Sequence, residues 1–211
     1  MSNCHIMLLF VIGGKTESNK RLSSTELLKD GAWQYSVNLP EPLFGHCLVK
    51  INSSHSFLAG GRTAGRESEA AYLYSDNEGF VPQADMSTPR KFHSCGLNAD
   101  GLIIVAGGMI INKDEALNST EIFNLSTLTW ETGPTLPAAK FAFGAAMISD
   151  NAGTFFIGGS TKIKSINWKD KTIHGSWIEV GEMSGGRRFF SVTKLSLNDT
   201  ECERWVGPIE K

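Results

Sequence analysis

Basic side chains recur at matched places in this chain. Arg90 with Lys91, Lys140, and Arg187 with Arg188 each follow a Met-Ser or Leu-Pro pair by a few residues, while Lys15, Arg62, Arg66 and Lys162 follow Gly-Gly pairs. Guanidinium groups pair bidentately with carboxylates, so a ring of such groups would read an acidic peptide. The candidate partner-binding residues are therefore Arg62, Arg66, Arg90, Lys91, Lys140, Arg187 and Arg188. Acidic neighbours at Glu67, Glu69, Asp114 and Glu115 offer these cations a competing use as internal ion pairs, and the first unit breaks the series with Leu43.

Other chemistry is sparse. His46 and His93 stand seven residues after Leu39 and Met86, but the same count from Leu136 and Met183 lands on Phe143 and Phe190. Aromatics replacing His at one site argue for packing over metal ligation. The four cysteines, at 4, 47, 95 and 202, make no CxxC pair and no Cys/His metal spacing, so thiols are the expected state. No nucleophile elbow, phosphate loop or paired carboxylates occur, and neither catalytic residue, metal nor cofactor is expected.

The elements that position these residues repeat. Apolar runs end in Gly13-Gly14, Gly60-Gly61, Gly107-Gly108 and Gly158-Gly159, in steps of 47, 47 and 51 residues. Each pair is followed by a polar stretch, a short apolar strand, a turn and a large aromatic: Trp33, Phe80, Trp130 or Trp177. Then come Leu39-Pro40, Met86-Ser87, Leu136-Pro137 or Met183-Ser184 and a further strand, read over 44–51, 92–97, 141–148 and 189–197. Four short strands per unit without helical periodicity predict an all-β protein of repeated four-stranded antiparallel sheets, the form of a propeller blade.

With 20 Lys and Arg against 22 Asp and Glu, the formal charge is −2, which disfavours nucleic acid and anionic membrane as partners. No run approaches the roughly 18 apolar residues of a spanning helix, so the chain reads as soluble. The apolar stretch 6–12 lacks a basic leader and stands in register with three internal strands, so it is read as a strand and not a signal peptide.

At this point the residues resemble a known family. An apolar strand into Gly-Gly, a polar loop, a strand of the Thr120-Glu121-Ile122-Phe123 type, a turn and a Trp is similar to the kelch repeat, over roughly residues 6–197. The resemblance implies a kelch-type β-propeller with units near 6–36, 44–82, 92–131 and 141–178, an extra innermost strand at 189–197, and a tail at 198–211. About four blades are present, which leaves two readings: a partial propeller, the favoured one, or a small closed ring in which 189–197 completes the first blade. In the ring, Cys4 and Cys202 would fall at one blade end. The glycines and the four aromatics are read as structural.

The resemblance further implies a non-enzymatic module that binds a protein partner on the face made by the Gly-Gly loops and the connections between blades, where the basic residues would read an acidic segment. Its commonest setting is substrate recruitment to a cullin-based ubiquitin ligase or an actin-linked scaffold, in the cytoplasm. Two alternatives stand beside it. One is an enzyme of the galactose oxidase or sugar epimerase type, disfavoured because Tyr35, Tyr72 and Tyr74 fall on outer strands. The other is a secreted glycoprotein, with sequons at Asn52, Asn118, Asn124 and Asn198.

Overall fold

The computed structural model describes residues 9–29, 31–110, 115–137, 145–150, 153–158, 162–166 and 176–182, and among them every regular element is a β-strand. A first antiparallel sheet holds β1 (Leu9–Ile12), β2 (Thr25–Lys29) and β3 (Ala32–Tyr35). The second holds β4 (Cys47–Lys50), β5 (His55–Ala59), β6 (Ala71–Ser75) and β7 (Gly79–Pro82). After β8 (Ser94–Leu97) and β9 (Leu102–Ala106), a short ribbon of β10 (Met109–Ile110) and β11 (Glu115–Ala116) precedes β12 (Thr120–Asn124) and β13 (Thr129–Thr132); the third sheet runs β8-β9-β12-β13. The fourth holds β14 (Ala145–Asp150), β15 (Gly153–Gly158), β16 (Lys162–Ile166) and β17 (Trp177–Glu182) in chain order. The innermost strand β8 lies beside both β4 and β14, so the sheets follow one another as blades. Residues 189–197, which would complete the first sheet in the closed-ring reading, lie outside the described residues, as do Cys4 and Cys202.

Each middle sheet is buried on both faces, which the period of two along a strand explains. Phe57 and Leu73, cross-strand partners, face the third sheet, whereas Leu58 and Tyr72, the next pair, face the first. Phe57 stacks on Phe123 at 4.7 Å, and Phe10 of β1 meets Tyr74 at the same distance. On the far side of the third sheet, Ile104, Ala106 and Ile122 join Leu136 and Trp177.

The glycine pairs have a specific steric cause. Gly60 has φ +62°, and a Cβ there would sit 2.6 Å from the Arg90 carbonyl oxygen and 2.5 Å from the His93 ring. That carbonyl accepts the Gly61 N–H at 2.8 Å, and Leu43 O accepts Gly14 N–H at the same distance one unit earlier. The pair is where the connection to the next blade closes onto the strand end. Two of the large aromatics pack back against the preceding blade: Trp130 Nε1 donates to Ala84 O (2.6 Å) and Trp177 Nε1 to Pro134 O (2.9 Å).

Two strands are shorter than the sequence reading. Expected from 44 and 92, they begin at Cys47 and Ser94, because Gly45 (φ +69°) and Phe92 (φ +52°), equivalent residues six after Leu39 and Met86, turn the chain through the left-handed region. The thiol expectation is also corrected: Cys47 of β4 and Cys95 of β8 form a disulfide with Cα atoms 6.0 Å apart.

Candidate partner-binding site

Among the described residues, the predicted basic residues do not form one exposed ring. Arg90 is fully buried: its Nη1 donates to Gly107 O (2.8 Å) and Ser119 O (3.0 Å), and its Nη2 to Ser119 Oγ (3.1 Å) and Glu121 Oε1 (2.7 Å). Burial lowers the Arg90 pKa and Glu121 works against that shift. Glu121 also accepts the Ser87 N–H at 2.7 Å and the Thr88 N–H at 3.2 Å. Arg90 is therefore a structural cation joining two blades, and is not presented to a partner. Arg66 is exposed and bound to Glu69 at 2.7 and 3.0 Å, so that charge is answered locally. Lys140, Arg187 and Arg188 lie outside the described residues.

Arg62 and Lys91 do meet, in a cluster the sequence reading had not assembled. Arg62 pairs with buried Glu67, and Lys91 Nζ lies 3.7 Å from the same carboxylate. The backbone brings them together: Phe44 and Arg62 bridge antiparallel, as do Arg62 and Glu67, and Lys15 and Arg21. Phe44 becomes the centre. Lys15 Nζ stands 4.3 Å from its ring centroid, Arg21 Cζ 5.4 Å and Lys91 Nζ 5.7 Å, while Lys91 also stands 4.9 Å from the Phe92 ring. Cations over an aromatic face are attracted by its quadrupole, which lets three positive side chains approach one ring.

Two cations, Arg62 and Lys91, thus share one carboxylate, and Lys15 and Arg21 join Lys91 over the Phe44 ring. Burial and then the Arg62 charge push the Lys91 ammonium pKa down, Glu67 opposes this, and Lys15 adds to the lowering. The Arg21 Nε is buried without a hydrogen-bond partner among the described residues. Lys15 is exposed and Arg21 half-buried, so the cluster's open side is cationic. It lies where the first two Gly-Gly loops meet the connections to the second and third blades. Phe92, held at positive φ, borders it; strained backbone of this kind costs about 1–3 kcal/mol and gathers at functional sites. Arg21, Phe44 and Phe92 were missed because their meeting depends on two loops and two connections from different units. Lys15, directly after a glycine pair, was the one further signal in the sequence.

The histidines behave as packing residues. His93 donates from Nε2 to Ala59 O at 3.0 Å, and its pKa falls to about 3 through burial first and the Arg90 charge second. Burial lowers His46 to about 4. Tyr72 and Tyr74 lie in the interior of the first two blades, where burial raises their phenol pKa values. Among the described residues no group of three His, Cys, Asp or Glu could hold a metal ion, and no helix is long and apolar enough to cross a membrane. Asn52 is exposed at a turn where its Oδ1 accepts from Ser54 N and His55 N.

Comparison with known proteins agrees with this architecture. The Kelch motif profile matches residues 90–137. Zebrafish (Danio rerio) Kelch-like protein 41b is 28% identical over 178 residues, covering 81% of this chain and 28% of that protein. Human (Homo sapiens) Kelch-like protein 15 is 27% identical over 141 residues, covering 64% of this chain and 22% of that protein. The chain thus spans less than a third of the length of these relatives. Among solved structures, one titled "Structure of YjhT" superposes with a TM-score of 0.58 at 16% identity, covering 72% of this chain and 51% of the other, a likeness of fold. With four Gly-Gly units in sequence and successive antiparallel blades in space, the chain carries a kelch motif on a propeller-type fold.

Proposed function

We propose that this chain is a protein-recognition module that binds an acidic segment of a partner at the cluster of Lys15, Arg21, Arg62 and Lys91 around Phe44. The observation that carries it is the gathering of positive charge: Arg62 and Lys91 share the carboxylate of Glu67, and Lys91, Lys15 and Arg21 crowd one aromatic ring. An incoming carboxylate would relieve that repulsion and accept charge-assisted hydrogen bonds, each contributing about 1.5–3 kcal/mol. Recruitment to a cullin-based ligase, or an actin-linked role, is the setting the kelch resemblance implies for such a module in a cytoplasmic protein.

The test is a binding titration by fluorescence anisotropy with a labelled Asp/Glu-rich dodecapeptide and its Lys-substituted counterpart. The acidic peptide should bind preferentially, and Lys15→Glu with Arg21→Glu should weaken it at least tenfold. Affinity should also fall as salt rises. Equal binding of the two peptides, or an unaffected double variant, would remove this site from the reading.

A further inference from the structure

The cation cluster and the disulfide are built from the same two stretches of chain. Phe44, Gly45 and His46 lead into Cys47, and Phe92, His93 and Ser94 lead into Cys95, so each bonded cysteine stands three residues after an aromatic of the cluster. Cys47 opens β4 and Cys95 lies in β8, innermost strands of neighbouring sheets that share no ladder of hydrogen bonds. The disulfide therefore ties the two stretches to one another directly. Upstream of it they meet in a backbone hydrogen bond, Phe92 N–H to Gly45 O at 2.7 Å, and in an edge-on contact of the Phe44 and Phe92 rings at 5.8 Å. Lys91 reaches over both rings. The shape of the cluster depends on how closely these stretches are held.

Holding them has a conformational cost. Gly45 takes φ +69°, which glycine adopts readily, but Phe92 takes φ +52°, which a bulky residue keeps only where its surroundings over-determine it. The Phe92 ring also lies against Gly45, where an added Cβ would sit 3.0 Å from two ring carbons. The second and third blades have further ties. One apolar core, containing Phe57, Ile103 and Phe123, spans both, Gly61 N–H donates to Arg90 O, and His93 Nε2 donates to Ala59 O. Opening the disulfide leaves the blades docked and lets Phe92 relax.

We propose that the Cys47–Cys95 bond is a redox switch for this cluster: oxidation holds Phe44, Lys91 and Phe92 in the form that takes an acidic segment, and reduction releases it. The ligand rests on the acidic-segment reading of the cluster; the control of its shape rests on the backbone. Closure passes two electrons and two protons from the two thiols to a disulfide oxidant such as oxidised glutathione, which leaves as two thiols. Opening runs in reverse. A reductant thiolate attacks Cys95, half-buried where Cys47 is buried, Cys47 leaves as the thiolate, and a second thiol resolves the mixed disulfide. Bonds of this kind in a reducing compartment are characteristically transient and redox-sensing.

The full chain, equilibrated with mixtures of oxidised and reduced glutathione well below its melting midpoint, tests this. Thiols are counted by alkylation and mass, amide exchange is followed by NMR, and the labelled Asp/Glu-rich dodecapeptide reports binding. Reduction should speed exchange at the Phe92 amide by about tenfold, leave the Val105 amide of β9 unmoved, and weaken the peptide by about fivefold. Cys47→Ser with Cys95→Ser should give the reduced values at every glutathione ratio; if that variant does not fold, the wild-type titration alone decides. Unchanged Phe92 exchange, equal and measurable binding in both states, or free thiols throughout would overturn the switch. So would loss of Val105 protection together with Phe92, which marks global unfolding. Faster Phe92 exchange with the peptide bound in neither state would support the switch and remove the acidic segment as its ligand.

Discussion

At the scale of single residues, two sets of charged groups stand out among the described residues: those used between blades and those gathered around Phe44. Arg90 and Glu121 belong to the first kind, and their repeat equivalents Leu43 and Tyr72 show that an apolar pair can occupy the same joint, as is common for buried ion pairs. His93 belongs there too, held neutral by burial and then by the Arg90 charge, with its hydrogen bond to the Ala59 carbonyl working the other way. That neutrality has a pH consequence. The folded-state pKa values of His93 and His46, about 3 and about 4, lie below the ordinary 6.5. Below pH 6.5 the unfolded chain therefore binds protons that the folded chain refuses. The contribution is complete above pH 6.5 and is lost as pH falls towards the folded values, at about 2 kcal/mol per histidine by pH 5. Melting midpoints taken between pH 7 and 5 should drop by roughly 4–8 °C for each ring. His93→Gln, which keeps a donor for Ala59 O and takes no charge, should flatten that slope by about half; an unchanged slope would show that His93 is protonated in the fold.

At the scale of elements, the Gly-Gly pair acts as the socket into which the next connection fits. Gly60→Ala would place a methyl 2.6 Å from backbone oxygen and demand φ +62° of a residue with a Cβ. The dihedral alone costs about 1–2 kcal/mol. Urea unfolding should show the midpoint falling with an unchanged m value. Gly65→Ala, with open space around it and no positive φ, should be neutral or stabilising by up to about 1 kcal/mol. Such features were legible in the sequence because they are local: the glycines, the aromatics and the strand alternation each follow from residues a few positions apart. The binding cluster was only half legible. Arg62 and Lys91 carried a positional signal, but Phe44 looked like the start of a strand, and the positive φ at Gly45 and Phe92 that ends this reading has no signature when the residue is Phe. Arg90 resembled its surface neighbours because its partner Glu121 lies 31 residues on, across a blade joint.

At the scale of the whole molecule, the blades are held by unlike joints. The first and second share an apolar cluster around Leu43, Tyr72 and Phe80, whereas the second and third add an ion pair and a disulfide. The disulfide is a property of the repeat: Cys47 and Cys95 are 48 residues apart, one more than the 47-residue step between glycine pairs. A shift of one residue turns a side chain to the other face of its strand. The two sulfurs accordingly point at each other from facing sides of neighbouring innermost strands. Closing that 48-residue loop restricts the unfolded chain by about 4 kcal/mol in the chain-entropy description. Cys47→Ser with Cys95→Ser should therefore lower the melting midpoint by roughly 8–16 °C relative to the oxidised chain. Reductant should destabilise the wild type towards the same value while leaving the double variant unmoved. Peptide mapping without reductant should return residues 47 and 95 in one linked fragment. A wild type whose midpoint ignores reductant, with free thiols at both positions, would assign the blade joint to packing and the Arg90–Glu121 pair alone.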